Sequence, residues 1–142
     1  MTPDDLLARE AIRSTLDTYT MAGDEYDVET YITCFTDDAV LEFDPFPGRG
    51  YFRLEGRNAI QEFTSGFFDA LKRGDITLPG KFQHHHITST QIKLLDSANA
   101  WTKCYCLIVD INGVQHSAVY TGHMRKVGAQ WLISSRKWTL NR

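Results

Sequence analysis

Three consecutive histidines, His84, His85 and His86, open the stretch QHHHITSTQIKL, whose later residues alternate as a β-strand does. An imidazole with an ordinary pKa of about 6.5 is largely neutral near pH 7, so the run offers either a general base or metal-ligating nitrogens. Strand alternation separates these uses: His84 and His86 share one face, and His85 takes the other. A metal would need a third ligand beside that i, i+2 pair. His116 and His123 lie on other strands, and no cysteine or carboxylate spacing completes a zinc pattern. Cys34, Cys104 and Cys106 contain no CxxC pair. Cys104 and Cys106, at i, i+2 on a strand, are too far apart for an unstrained disulfide and read as buried free thiols.

The elements that must position His85 follow from periodicity. Thr2-Pro3-Asp4-Asp5 has the form of a helix start: a capping hydroxyl, proline at the first helical position, then carboxylates at the positive end. Leu6, Leu7, Ile12, Leu16 and Tyr19 form a helical stripe to about Met21, with Gly23 and Asp24 ending it. An aspartate in that place reads on its own as a helix terminator. Asp27 caps a second helix with Val28, Tyr31, Ile32 and Phe35 on its buried side, and Ala39, Leu41 and Phe43 then alternate as a strand. After the Pro- and Gly-rich loop DPFPGRGYFRLEG, a third helix is expected over 57–73, with Ile60, Phe63, Phe67 and Leu71 in register.

Strands are expected at 85–95, 100–111, 114–126 and 131–140. Asn112-Gly113 suits a type I′ hairpin turn, pairing Ile111 with Val114. That register gathers Tyr105, Leu107, Val109, His116, Ala118 and Tyr120 on one face. Helices first and an antiparallel meander after them describe an α+β domain, one unit over residues 1–142, with a curved sheet wrapped on helices and a pocket between. Phe43, Phe46, Phe52, Phe67, Phe68, Trp101 and Trp138 are expected in the core or pocket wall.

Composition narrows the partners. A formal charge of −3 with no Lys/Arg cluster gives no footprint for nucleic acid. No apolar run approaches the roughly 18–20 residues of a membrane span, and the acidic start MTPDDLLARE is unlike a secretory signal. A cytoplasmic protein with a small-molecule substrate is the expectation, without nucleic acid or membrane.

The segments AIRSTLDTYTMAGDEYDVETYITCFTDDAVLEF, HHITSTQIKL and YTGHMRKVGAQWLISSRKW together resemble the SnoaL-like branch of the NTF2-like superfamily over nearly the whole chain, and within it the scytalone dehydratase and hexachlorocyclohexane dehydrochlorinase families. The resemblance implies a cone-like, cystatin-like α+β barrel of three N-terminal helices on a strongly curved, mixed and mostly antiparallel sheet. It also implies assembly as a dimer or trimer, and cofactor-independent chemistry without a metal. Asp24, twelve residues after Ile12, matches the family aspartate. His85, followed by Ser89 and Ile92, matches the catalytic histidine, and Arg136, five residues beyond Trp131, the C-terminal arginine. Tyr19, Phe43, Ser89, Tyr105, Leu107 and Tyr120 then become candidate substrate-binding residues. Two tyrosines of scytalone dehydratase are replaced by Gly23 and Phe43, and its second histidine falls near Asp110, so scytalone itself is not the expected substrate.

The orientation of Arg136 depends on the turn after Val127. A two-residue turn sets it opposite Thr121 and outward, where Glu42 or Asp110 could pair with it; a three-residue turn sets it opposite Tyr120 and inward. The implied activity is a lyase of the dehydratase type, with His85 as base, Asp24 as its orienter and Arg136 beside Tyr120 stabilising an anion, acting on a small hydrophobic, oxygenated or cyclic molecule. Isomerisation and polyketide-type cyclisation share the same first step. A non-catalytic ligand carrier is the alternative of a different class.

Overall fold

The computed structural model describes residues 1–45, 50–76 and 83–141; Phe46 and the start of the KFQHHH segment lie outside them. Helix α1 runs Pro3–Asp24, α2 Val28–Ile32 and α3 Arg57–Arg73; the strands are β1 Phe35–Phe43, β2 Phe52–Glu55, β3 Gln83–Leu94, β4 Asn99–Asp110, β5 Gly113–Val127 and β6 Gln130–Leu140. Six strands in the order β2-β1-β6-β5-β4-β3 make one curled, open sheet, mixed because β1 runs parallel to β6 while every other pairing is antiparallel. This is the cystatin-like α+β arrangement of three helices on a curved sheet.

Local chemistry accounts for the helices. The Thr2 side chain accepts from the Asp5 backbone N–H while the Asp5 carboxylate accepts from that of Thr2, a reciprocal box that satisfies two orphan donors and holds the Asp5 carboxyl below its ordinary value. Asp27 caps α2 through the Thr30 N–H. Gly74, at φ +79, closes α3 with the left-handed residue that helix ends favour. Thr15 Oγ1 donates to the Trp131 carbonyl at 2.6 Å and Arg9 Nη1 to that of Ile92, also at 2.6 Å, which lays α1 across β6 and β3.

The boundaries depart from the sequence expectation in instructive ways. Helix α1 continues through Gly23 to Asp24, and its buried stripe is Ile12, Leu16, Tyr19 and Ala22; Leu6 and Leu7 are exposed, because they point away from the face on which Ala8 and Ile12 meet the core. Phe35 opens β1 instead of extending α2. In α3 the buried residues are Ile60, Thr64 and Phe68, one i, i+4 ridge, while Phe63 lies on the flank against Phe52 of β2, a strand hidden in the presumed loop.

The β4–β5 hairpin is corrected most. The two turn residues are Ile111 and Asn112, with Gly113 at φ +105 pairing Asp110, so the pairing is shifted by one residue; past Gln115, which bulges out, Ile108 faces His116. The Asp110 carboxylate explains the shift: its Oδ1 accepts from the Asn112 N–H at 2.7 Å and from Gln115 Nε2 at 3.0 Å, folding the turn back on β4. Cys104, Cys106, Ile108 and Asp110 therefore face the helices with Ala118 and Tyr120, while Tyr105 and Leu107 face outward. The core inside the curl joins these to Ile12, Phe35, Leu41, Ile60, Met124 and Ile133.

Candidate active site

Asp24 is the last residue of α1 and His85 stands near the start of β3, and the two meet where that helix end crosses the sheet edge. Asp24 Oδ1 lies 2.6 Å from His85 Nδ1, and Asp24 Oδ2 accepts the backbone N–H of His85 at 2.9 Å. One carboxylate thus grips both the ring and the strand beneath it. With Nδ1–H directed at the carboxylate, the lone pair is on Nε2, the tautomer a base requires. The Asp24 side chain is 10% exposed and that of His85 29%, so the orienter is shielded while the ring reaches space. His84 and His86 stand on the other face, ring centroids 6.5 Å apart. Among the described residues no group of three His, Cys, Asp or Glu side chains is placed to hold a metal ion.

Arg136 lies inward, by a route neither turn length anticipated. The turn after Val127 has two residues, Val127 pairing Gln130, but Ser134 bulges out of β6, so Arg136 pairs Gly122 rather than Thr121. Only glycine fits at 122: a Cβ there would stand 2.1 Å from the Ser135 carbonyl oxygen. Arg136 is 3% exposed. Its Cζ is 3.9 Å from the Tyr120 ring centroid and 4.4 Å from that of Tyr19, and Nη2 reaches Cys104 Sγ at 3.5 Å; among the described residues Nε and Nη1 have no hydrogen-bond partner. Burial opposes its charge; the ionised forms of Tyr19, Tyr120 and Cys104 would more than offset that and hold its pKa above the ordinary value, but at pH 7 those groups are neutral and the guanidinium is cationic with burial against it.

Among the described residues no carboxylate pairs with it. Burial, the dominant cause, raises Tyr19 and carries Tyr31 and Tyr120 well above the ordinary phenol value, so all three are neutral at pH 7 and supply π-faces and dipoles instead of counter-charge. Burial likewise pushes the Cys106 thiol up to about 12 and that of Cys34 to about 11. A cavity of about 50 Å³ between α1 and β3 reaches the guanidinium, lined by Arg13, Leu16, Asp17, Ile87, Thr90 and Cys104, room for a water or two. Neither Asp24 nor His85 lines it.

The other candidates divide. Tyr19 and Tyr120 are buried edge to face with each other, their centroids 5.9 Å apart, and both rings contact the guanidinium. Phe43 stacks on Phe52 at 4.7 Å and leans on Trp138. Three binding candidates are corrected. Tyr105 is 51% exposed on the outer face with Leu107, because of the hairpin shift. Ser89 is exposed opposite Tyr105, because Thr88 bulges out of β3 and hands the inward place to Thr90. Asp110, unmarked as a site residue by the sequence reading, lies inward beside His85's partner Ile108, with Oδ2 buried and unpartnered. Its clue was the alignment with the second histidine of scytalone dehydratase.

The model of the SnoaL-like domain family matches residues 4–137. No curated protein matches. Among solved structures, a proposed scytalone dehydratase from Novosphingobium aromaticivorans is 18% identical, with a TM-score of 0.79, over 100% of this chain and 89% of that one. The hexachlorocyclohexane dehydrochlorinase LinA-type3 from Novosphingobium barchaimii is 15% identical, with a TM-score of 0.75, over 98% and 90%. A cystatin-like protein of unknown function from Nostoc punctiforme is 19% identical, with a TM-score of 0.75, over 95% and 92%. At such identities the likeness carries the fold; activity needs its own argument.

Proposed function

The chain belongs to the SnoaL-like family, and from that premise we propose that it is a cofactor-independent lyase of the dehydratase type, with His85 as general base and Asp24 as its orienter. One observation carries the reading: the Asp24 carboxylate, 2.6 Å from His85 Nδ1, also accepts the His85 backbone N–H, fixing ring and tautomer together. A carboxylate that merely ended a helix would not need to reach a strand 61 residues away.

The substrate is a small hydrophobic molecule with an acidic C–H beside an electron-withdrawing group. His85 Nε2 removes that proton; Asp24 stabilises the imidazolium that forms. The electron pair then expels a β-leaving group. Arg136, a buried cation with no carboxylate partner among the described residues, supplies positive potential for an anionic group of the substrate deeper in the curl. Isomerisation and cyclisation differ only in where the electron pair goes next.

The test therefore targets the shared step. Cyclohexanone and 1-tetralone in D₂O are incubated with the protein, and α-proton exchange is followed by NMR. Exchange that falls about 10²–10⁴-fold in His85→Ala, with fold and melting behaviour kept, supports the base. Exchange that the variant retains in full removes His85 from the chemistry. A wild-type protein that binds the ketones without exchanging them is a carrier.

A further inference from the structure

A guanidinium taken out of water needs a negative partner, and Arg136 is 3% exposed. The N–H groups on Nε and Nη1 meet no acceptor among the described residues, and Nη2 meets only the Cys104 sulfur, at 3.5 Å. The rings of Tyr19 and Tyr120 offer it π-electrons but no negative charge. The Cys104 thiol offers none either, because burial raises its pKa and keeps it protonated near pH 7. A native fold seldom leaves such donors unanswered, and a bound ion answers them.

The cavity of about 50 Å³ between α1 and β3 is where an ion fits. Arg136 lines it from β6, Arg13 and Asp17 from α1, Thr90 from β3 and Cys104 from β4. Arg13 is half-buried and, among the described residues, forms no ion pair, either with Asp17 one turn further along α1 or with any other carboxylate. Two guanidinium groups from separate elements thus reach one small space, and the single carboxylate on its wall bonds neither.

Charge and size then choose the ligand. Two cations against one carboxylate leave one positive charge in excess, which a monovalent anion balances. A space for a water or two accepts a halide and refuses an anion as large as gluconate. The Thr90 hydroxyl, on the inward side of β3, can turn its proton toward the ion.

We infer that this cavity binds one halide ion, chloride in ordinary buffers, on the unpartnered N–H groups of Arg136, with Arg13 as the second cation and Thr90 as a neutral donor. The ion replaces the counter-carboxylate that Arg136 lacks and ties α1 to β6. Neither Asp24 nor His85 lines the cavity, so the inference goes beyond the lyase reading and needs nothing of it. An anionic group of a substrate, on that reading, takes the place of the halide.

Thermal unfolding is followed at pH 7 in about 200 mM sodium gluconate, with chloride replacing gluconate stepwise so that screening stays constant. The wild-type Tm should climb with the logarithm of chloride concentration, by about 5 °C at full replacement. Arg136→Met should not respond, and Arg13→Gln should need about tenfold more chloride for the same shift. The cost of the bare cation is what Arg136→Met reads in gluconate alone. A wild-type Tm that ignores chloride overturns the inference, as does a rise that Arg136→Met shares, since that is a general salt effect. An Arg13→Gln curve that coincides with wild type overturns the paired site. Where Arg136→Met does not fold, a wild-type crystal soaked in bromide decides. An anomalous peak within about 3.5 Å of Arg136 Nε or Nη1 supports the site, and peaks confined to the surface overturn it.

Discussion

The two ends of the inner surface solve opposite problems. At the α1–β3 end, Asp24 and His85 satisfy each other and the strand backbone, and the ring keeps partial access to solvent. At the β6 end, Arg136 is buried against Tyr19 and Tyr120, with two nitrogens unpartnered among the described residues. The first end is organised by hydrogen bonds, and on the proposed reading it moves a proton. The second carries an uncompensated positive charge, a cost to the fold that makes sense if something negative arrives there.

Asp24→Asn should break the contrast most. An amide keeps the size but forces the wrong partner on Nδ1, so ketone exchange should fall about 10³-fold. Exchange within threefold of wild type would mean that the dyad only staples α1 to β3.

Arg136→Met tests the other end. If the buried charge is a cost, removing it should raise stability by about 1–2 kcal/mol, a few degrees of Tm in thermal unfolding, while weakening turnover of substrates with an anionic or departing group. A lower Tm would show that the two tyrosine faces more than repay the burial.

The smallest effect is graded. Around Arg136 the acids Cys34, Cys104, Cys106, Tyr19, Tyr31 and Tyr120 all have pKa values raised in the folded state, chiefly by burial. The unfolded chain releases those protons first, the thiols from about pH 9, so stability declines as pH rises past that value. Denaturant midpoints from pH 7 to 10.5 should fall steadily, and thiol reagents at pH 8 should label the cysteines only on unfolding. A flat profile would mean that this end is open to solvent.

Much of this was legible in the chain itself. The Thr2 cap, the Asp27 cap and the extent of α3 read as written, since capping and helical period are matters of residues three or four apart. Asp24 and His85 could be named because the family pattern preserves their spacing, although nothing local joins them. Tyr105, Leu107 and Ser89 were misplaced by one-residue shifts that bulges in the folded sheet set.

The sequence by itself determined the type and order of every element but β2, since period, caps and turn residues act over a few neighbours. Which residues look inward was decided by tertiary structure, at Thr88, at Gln115 and at Ser134, where one bulged residue reverses every side chain beyond it. The reason is cooperative: a bulge is selected by the fit of whole strands across the sheet, as at Gly122 against the Ser135 carbonyl, and no window of neighbouring residues contains that fit.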